Sequence, residues 1–159
     1  MKRSEFRKLA NYTFGSSAAV ITNASLIVGL GSAGATKAPI LGSLLTFALA
    51  DNISDSLAIH LYKESDEAGR ALPFFTAVLN FFARLLTSLS FVVIVLVFSV
   101  QDAVPVAIVW GLFLMILVSY LITKKRSQST LVEIIKHVLV AVIVIALSRL
   151  VGTLISEHF

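Results

Sequence analysis

Five long apolar stretches constrain the fold of this chain more than any other feature. They run over residues 12–30, 39–62, 72–100, 104–123 and 132–155. A helix needs about 20 mostly apolar residues to cross a hydrocarbon core of roughly 30 Å, and each stretch is long enough. Membrane strands are shorter and alternate in polarity, which these stretches do not. The sequence therefore predicts an all-α integral membrane protein, with five transmembrane helices in one domain over residues 1–159.

The composition excludes a water-soluble globule. With 57% hydrophobic and 14% charged residues, a chain of 159 residues has too little polar surface for one. It contains no cysteine, which excludes disulfides and thiolate metal sites. The sequence signatures of soluble hydrolases, nucleotide-binding enzymes and zinc proteases are missing, so we do not expect an enzyme. We expect a multi-pass membrane protein, in the cell membrane if the host is prokaryotic.

Basic residues predict the orientation in the membrane. With five spans, the amino terminus and the second and fourth loops lie on one side of the membrane, and most of the basic residues lie there. Lys37 is the only basic residue predicted on the opposite side. Because basic loops remain in the cytoplasm, the amino terminus is predicted to be cytoplasmic and the carboxyl terminus outside. This asymmetry also explains the net charge of +4, so we expect no nucleic-acid partner. The basic residues of the predicted cytoplasmic face are Lys2, Arg3, Arg7, Lys8, Lys63, Arg70, Lys124, Lys125, Arg126 and Lys136.

The first apolar stretch has an alternative interpretation as a signal peptide. A basic start and a short apolar run precede Ala33-Gly34-Ala35, which resembles a cleavage site. Polar residues interrupt the run, however, at Thr22, Asn23 and Ser25. A retained first helix is the favoured interpretation.

Two carboxylates lie inside the second apolar stretch, in the segment FALADNISDSLAIH (residues 47–60). Asp51 and Asp55 are four residues apart and therefore share one helix face, which Asn52 and Ser56 extend. A charge at the bilayer centre costs about 2.5–3.5 kcal/mol on insertion scales, so it needs a partner, a proton or a function. Three roles fit the pair: coordinating a hard cation, passing protons, or pairing with a buried base.

The candidate for a buried base is Arg84, in the third apolar stretch. At the rise of a helix, Arg84 lies about 18 Å from the cytoplasmic end, and Asp51 and Asp55 lie about 16 and 10 Å from it. Because these depths overlap, an intramembrane ion pair is the alternative to a cation site. A hydrolytic aspartate dyad is not favoured, because its carboxyl groups must face each other.

Amide oxygens extend the candidate metal site. The carbonyl oxygen of Asn23, in the first apolar stretch, is a possible ligand facing Asp51 or Asp55, and Asn52 is a second. Helix packing is the alternative role for the polar residues of the first stretch. A cytoplasmic mouth that gathers divalent cations is predicted beyond the second stretch, a solvated loop being its alternative, and its residues are His60, Glu64, Asp66 and Glu67.

Several short motifs follow one another in a specific order. FGSSAAV (residues 14–20) leads to VGL (28–30), LYKESD (61–66) ends the second stretch, and Pro73 opens the third. In this order the chain resembles, from Phe6 to Ile155, the vacuolar iron transporter family of membrane metal exporters. The motifs are similar to the family's opening G-x-S-D-G-L, its closing A-G-L and its second-helix exit L-x-x-K-S-E.

The resemblance implies a homodimer of five-helix protomers that carries Fe²⁺ or Mn²⁺ out of the cytosol, often in exchange for protons. It implies no permanently bound cofactor. The chain departs from the family at its pathway residues: the aspartate position falls on Ala18, the glutamate on Phe47, the methionine on Asp55 and a proline on Asn23. The plant-type cytoplasmic metal-binding helices have no counterpart, because only residues 63–71 connect the second and third stretches.

Two hypotheses of function follow. The leading one is a transporter of divalent cations of the Fe²⁺/Mn²⁺ class, in which Asp51 and Asp55 are ligands or proton carriers. Oxygen ligands suit such hard cations, and a two-fold axis would bring Asp55 and its symmetry mate to one site. The alternative is a non-transporting membrane scaffold or partner-binding protein, in which the aspartates pair with Arg84. Conduction of another ion or of protons also remains open.

Overall fold

The computed structural model describes the backbone of residues 3–65, 71–123 and 130–158, and these ranges form five α-helices. The described residues contain no strand. The all-α fold predicted from the sequence is therefore confirmed. The helices are α1 (Arg3–Ser32), α2 (Lys37–Ser65), α3 (Ala71–Val97), α4 (Val100–Thr123) and α5 (Thr130–His158).

Three helices of the described ranges are long and apolar enough to cross a membrane. The spans are Phe74–Val97 in α3, Val100–Leu121 in α4 and Thr130–His158 in α5. Among the residues whose side chains the structure describes, the apolar part of α1 is Ser16–Ser32, which is shorter than a span. Helix α2 falls short because polar residues interrupt it around Asp51 and Asp55. By length and composition the structure thus supports three of the five predicted spans, and not the first and second.

A glycine ends α1 and turns the chain into α2. Gly34 has a φ of 77°, a left-handed conformation that favours glycine. The amide of Ala35 donates to the carbonyl oxygen of Leu30 (2.9 Å), and that of Gly34 donates to Gly31 (3.2 Å). This pair of bonds is a Schellman motif, which satisfies carbonyl groups that a helix end leaves open.

The boundary between the third and fourth helices lies earlier than predicted. The third apolar stretch was predicted to run to residue 100 and the fourth to begin at residue 104. In the structure, Ser99 precedes the first residue of α4 and its Oγ accepts from the backbone amide of Asp102 (3.3 Å). A serine in this position caps the amino terminus of a helix. The prediction was wrong by a few residues because the capping role of Ser99 was overlooked.

Helix α1 lies at the centre of the packing and contacts α3, α4 and α5, whereas α2 packs mainly on α3. The ends of α2 and α3 are joined where Lys37 Nζ donates to the carbonyl oxygen of Leu96 (3.2 Å). Glycines allow α1 and α5 to approach closely, since a Cβ on Gly152 would overlap the carbonyl oxygen of Gly29. The largest buried apolar side chains are Val20, Ile27, Val28, Ile40, Leu44, Phe91, Val95 and Met115.

The outward faces of the helices are apolar. Large hydrophobic side chains remain exposed on α2, α3, α4 and α5, for example Leu57, Leu86, Val109 and Leu150. Exposed apolar surface on this scale marks a surface that lies against lipid or another protein. It fits a protein embedded in a bilayer.

Candidate functional site

The two aspartates of α2 face a single arginine of α3. The guanidinium of Arg84 donates from Nη1 to Asp55 Oδ2 (3.1 Å) and from Nη2 to Asp51 Oδ2. Its Nε donates to Asn52 Oδ1 (2.8 Å). One buried cation therefore binds three acceptors on the neighbouring helix. We refer to Asp51, Asn52, Asp55 and Arg84, with Asn80, as the acid–arginine cluster.

Helical spacing explains how these side chains meet. Residues four apart share a helix face, so Asp51 and Asp55 lie one above the other on α2. On α3, the residues one turn to either side of Arg84 are Asn80 and Ser88, and both are buried. A polar stripe on α3 thus packs against a polar stripe on α2. Each stripe satisfies hydrogen bonds that lipid cannot offer.

Asn80 completes the cluster and was missed in the sequence analysis. Its Nδ2 donates to Asp55 Oδ2 (3.2 Å) and to Ser56 Oγ (3.3 Å). Its Oδ1 is buried and has no hydrogen-bond partner among the described residues. The signal that could have identified Asn80 is its position four residues before Arg84, on the same face of α3.

The cluster is buried on one side and open on the other. The side chain of Arg84 is 3% exposed, whereas those of Asp51 and Asp55 are 41% and 36% exposed. With all three groups ionised, the cluster holds one negative charge in excess. An unmatched negative charge attracts a further positive charge. The open side of the carboxylates is where that charge can arrive.

Asn23 does not lie at the aspartates. Its Nδ2 donates to the carbonyl oxygen of Ala19 (2.7 Å) and to Ser88 Oγ (3.0 Å), so it joins α1 to α3. The structure therefore places Asn23 beside the polar stripe of α3, where its partner Ser88 lies one turn from Arg84. Asn52 does lie at the aspartates, but its Oδ1 accepts from Arg84 Nε.

The predicted cytoplasmic mouth is described only in part. His60 lies on α2 and packs edge-on against Phe74, with 6.4 Å between ring centres. Glu64 belongs to the helical backbone of α2. Asp66 and Glu67 lie outside the described residues.

Preassembled metal sites built from several strong ligands are not found in the described ranges. No three or more His, Cys, Asp or Glu side chains come together there in a way that would hold a metal ion. The donors that the cluster could offer a hard cation are the carboxylate oxygens of Asp51 and Asp55. Oxygen atoms suit Mn²⁺, Mg²⁺ and Fe²⁺.

A second polar contact joins α4 to α5 and was also missed from the sequence. Ser119 Oγ and His137 Nδ1 are 3.0 Å apart, beside a cavity of about 230 Å³. The cavity is lined largely by apolar side chains, with Ser17 and Met115 from α1 and α4. The spacing of residues does not show which faces of α4 and α5 meet, so the sequence alone did not indicate that His137 lies opposite Ser119.

Comparisons with known proteins do not assign the chain. No protein-family model, no curated protein and no solved structure matches it. The resemblance to the vacuolar iron transporter family therefore rests on the sequence motifs alone.

Proposed function

We propose that this chain is a membrane transporter of divalent metal cations of the Fe²⁺/Mn²⁺ class, with the acid–arginine cluster as its cation site. The direction, export from the cytosol, and the exchange for protons follow the family resemblance. The observation that carries the proposal is the pairing of two carboxylates with one guanidinium. This pairing leaves one negative charge on a partly open site within a membrane helix bundle.

The placement in the membrane is part of the same proposal. All five helices span the bilayer, with the amino terminus in the cytoplasm and the carboxyl terminus outside. The three apolar spans of α3, α4 and α5 support it. The acidic residues of α2 do not argue against a span by that helix, because Arg84 binds them and they are not exposed to lipid on every side.

A homodimer would complete the site. The open carboxylates lie on α2, an edge helix that packs mainly on α3 and exposes apolar side chains such as Phe47 and Ile53. A two-fold axis beside α2 would cover these side chains and bring two clusters together. This arrangement would also shield the aspartates from lipid.

A second candidate function is a non-transporting scaffold or partner-binding protein. The observation that favours it is that each nitrogen of the Arg84 guanidinium already has an acceptor on α2. In that case the cluster serves to hold α2 against α3. Buried ion pairs can specify how helices pack without serving any transport.

Transport in proteoliposomes separates the two candidates. We expect purified parental protein to carry Mn²⁺ and Fe²⁺ across the membrane, reported by a fluorescent indicator inside the vesicles. Asp51→Ala/Asp55→Ala should abolish the flux. Asp102→Asn, at an exposed position in the first turn of α4, is the matched control and should retain it. A folded parental protein that moves neither metal, with or without a pH gradient, contradicts transport and favours the scaffold.

A further inference from the structure

The guanidinium of Arg84 occupies the position that a transported cation would need. It contacts one oxygen of each carboxylate, so it bridges Asp51 and Asp55 as a metal ion would. A cation that binds both aspartates through these oxygens must displace the guanidinium. Arg84 and the cation therefore compete for the same two groups.

The charge of the displaced guanidinium stays in the cluster. A monovalent ion in place of the guanidinium leaves one negative charge on the two carboxylates, as the guanidinium does, whereas a divalent ion neutralises both. Because Arg84 keeps its own positive charge on α3 in either case, net charge does not select the ion, and the competition rests on the shared oxygen atoms.

A buried acceptor lies one helical turn from Arg84. Asn80 lies one turn from Arg84 on the same face of α3, and its Oδ1 is buried without a hydrogen-bond partner in the part of the chain that the structure describes. The orientation of this amide follows from its neighbour: the carboxylate of Asp55 accepts from Nδ2 (3.2 Å), so Oδ1 points elsewhere. A buried acceptor that lacks a donor is destabilising, and the displaced guanidinium would supply that donor.

We infer that Arg84 is a tethered counter-cation, which holds Asp51 and Asp55 in the empty site and is displaced toward Asn80 when a divalent ion binds. This inference rests on the proposed function. It makes Arg84 a residue that lowers the affinity of the site for a cation that binds both aspartates. A salt bridge with only a structural role would not compete with the ion.

Mn²⁺ affinity of Arg84 variants tests the inference. Equilibrium binding to detergent-solubilised protein is measured from the electron paramagnetic resonance signal of free Mn²⁺. Arg84→Gln removes the competitor and should tighten Mn²⁺ binding roughly tenfold or more. Arg84→Lys should tighten binding to an intermediate degree, because an ammonium cannot reproduce the planar fork that holds several acceptors. Arg149→Gln and Arg149→Lys, at an exposed arginine of α5, are matched controls and should bind as the parent does.

The lysine variant separates displacement from simple charge repulsion. If only the charge of residue 84 mattered, Arg84→Lys would bind Mn²⁺ with parental affinity, and that result would overturn the inference. The lysine variant also keeps the charge of the cluster, so it decides the question even if Arg84→Gln does not fold.

Failure of the inference and failure of the proposed function give different results. A parental protein that carries Mn²⁺, together with Arg84→Lys and Arg84→Gln variants of unchanged affinity, overturns only the counter-cation. A parental protein that neither binds nor carries Mn²⁺ overturns the proposed function, and the inference with it.

Discussion

Arg84 Nη1 and Asp55 Oδ2 lie 3.1 Å apart, although the two residues are separated by 29 positions in the chain. This contact, with those to Asp51 and Asn52, joins α2 to α3 by charged and polar groups. Removing one partner of a buried ion pair is strongly destabilising, because the other charge is left unmatched. The cluster therefore determines how α2 packs on α3, and under the proposed function it is also the site at which a cation binds.

The pairing can be measured by a double-mutant cycle. Arg84→Leu should lower the free energy of unfolding by less than the roughly 3–5 kcal/mol typical of a fully buried pair, because the two aspartates that it leaves without a cation are 41% and 36% exposed. Asp51→Asn should cost less, since an amide oxygen can still accept from Arg84. The double variant should lose less than the sum, with a coupling of about 0.5–3 kcal/mol measured by unfolding in detergent. Strictly additive losses would show that the two groups do not interact.

Much of the cluster was predictable because charge within an apolar stretch stands out whatever the fold. Asp51, Asp55 and Arg84 were each identified on that ground, and helical rise placed them at overlapping depths. Counting residues gives the position of a side chain along its helix, but it does not give the rotation of the helix about its axis. The sequence therefore left open whether Arg84 faces α2, and the contacts of the structure are needed to show that it meets both aspartates.

Uncharged polar residues were harder to interpret than charged ones. Asn23 was expected near the aspartates, yet it donates to Ser88 between α1 and α3. Asn80 was overlooked although it donates to Asp55. A side-chain amide can form its hydrogen bonds within its own helix or with any neighbouring helix. Its partner therefore depends on helix rotation and cannot be deduced from spacing alone.

Asn23 provides a test of which amides belong to the cation site. Because it bonds to Ser88 and not to the aspartates, Asn23→Ala should leave Mn²⁺ affinity at the parental value while costing about 1 kcal/mol of stability. Ser88→Ala removes the same bond and should cost no more when added to Asn23→Ala. Asp55→Asn, in contrast, should weaken Mn²⁺ binding by about tenfold or more. A large loss of Mn²⁺ affinity in Asn23→Ala would show that Asn23 belongs to the cation site.

Close packing of α1 on α5 predicts unequal effects for two glycines. A Cβ on Gly152 would overlap the carbonyl oxygen of Gly29, so Gly152→Ala should separate the helices and cost about 1–3 kcal/mol. Gly42, on α2, has no atom within 4 Å of its would-be Cβ. Gly42→Ala should be neutral or stabilise by up to about 1 kcal/mol, through helix propensity. Melting temperatures in detergent compare the two, and equal losses would argue against the tight α1–α5 contact.

The absence of native cysteine makes the topology directly measurable. Thr36→Cys, in the turn between α1 and α2, should react with a membrane-impermeant thiol reagent added outside intact cells. Ser127→Cys, in the loop predicted to be cytoplasmic, should react only after the cells are opened. The reverse pattern would invert the predicted orientation.

The central claim is that the acid–arginine cluster binds one divalent cation, and equilibrium Mn²⁺ binding tests it most directly. We expect the folded parental protein to bind Mn²⁺ at the cluster, and Asp51→Asn/Asp55→Asn to lose that binding while Asp102→Asn keeps it. Parental protein that binds no Mn²⁺, or a double variant that binds it as tightly as the parent, would contradict the account.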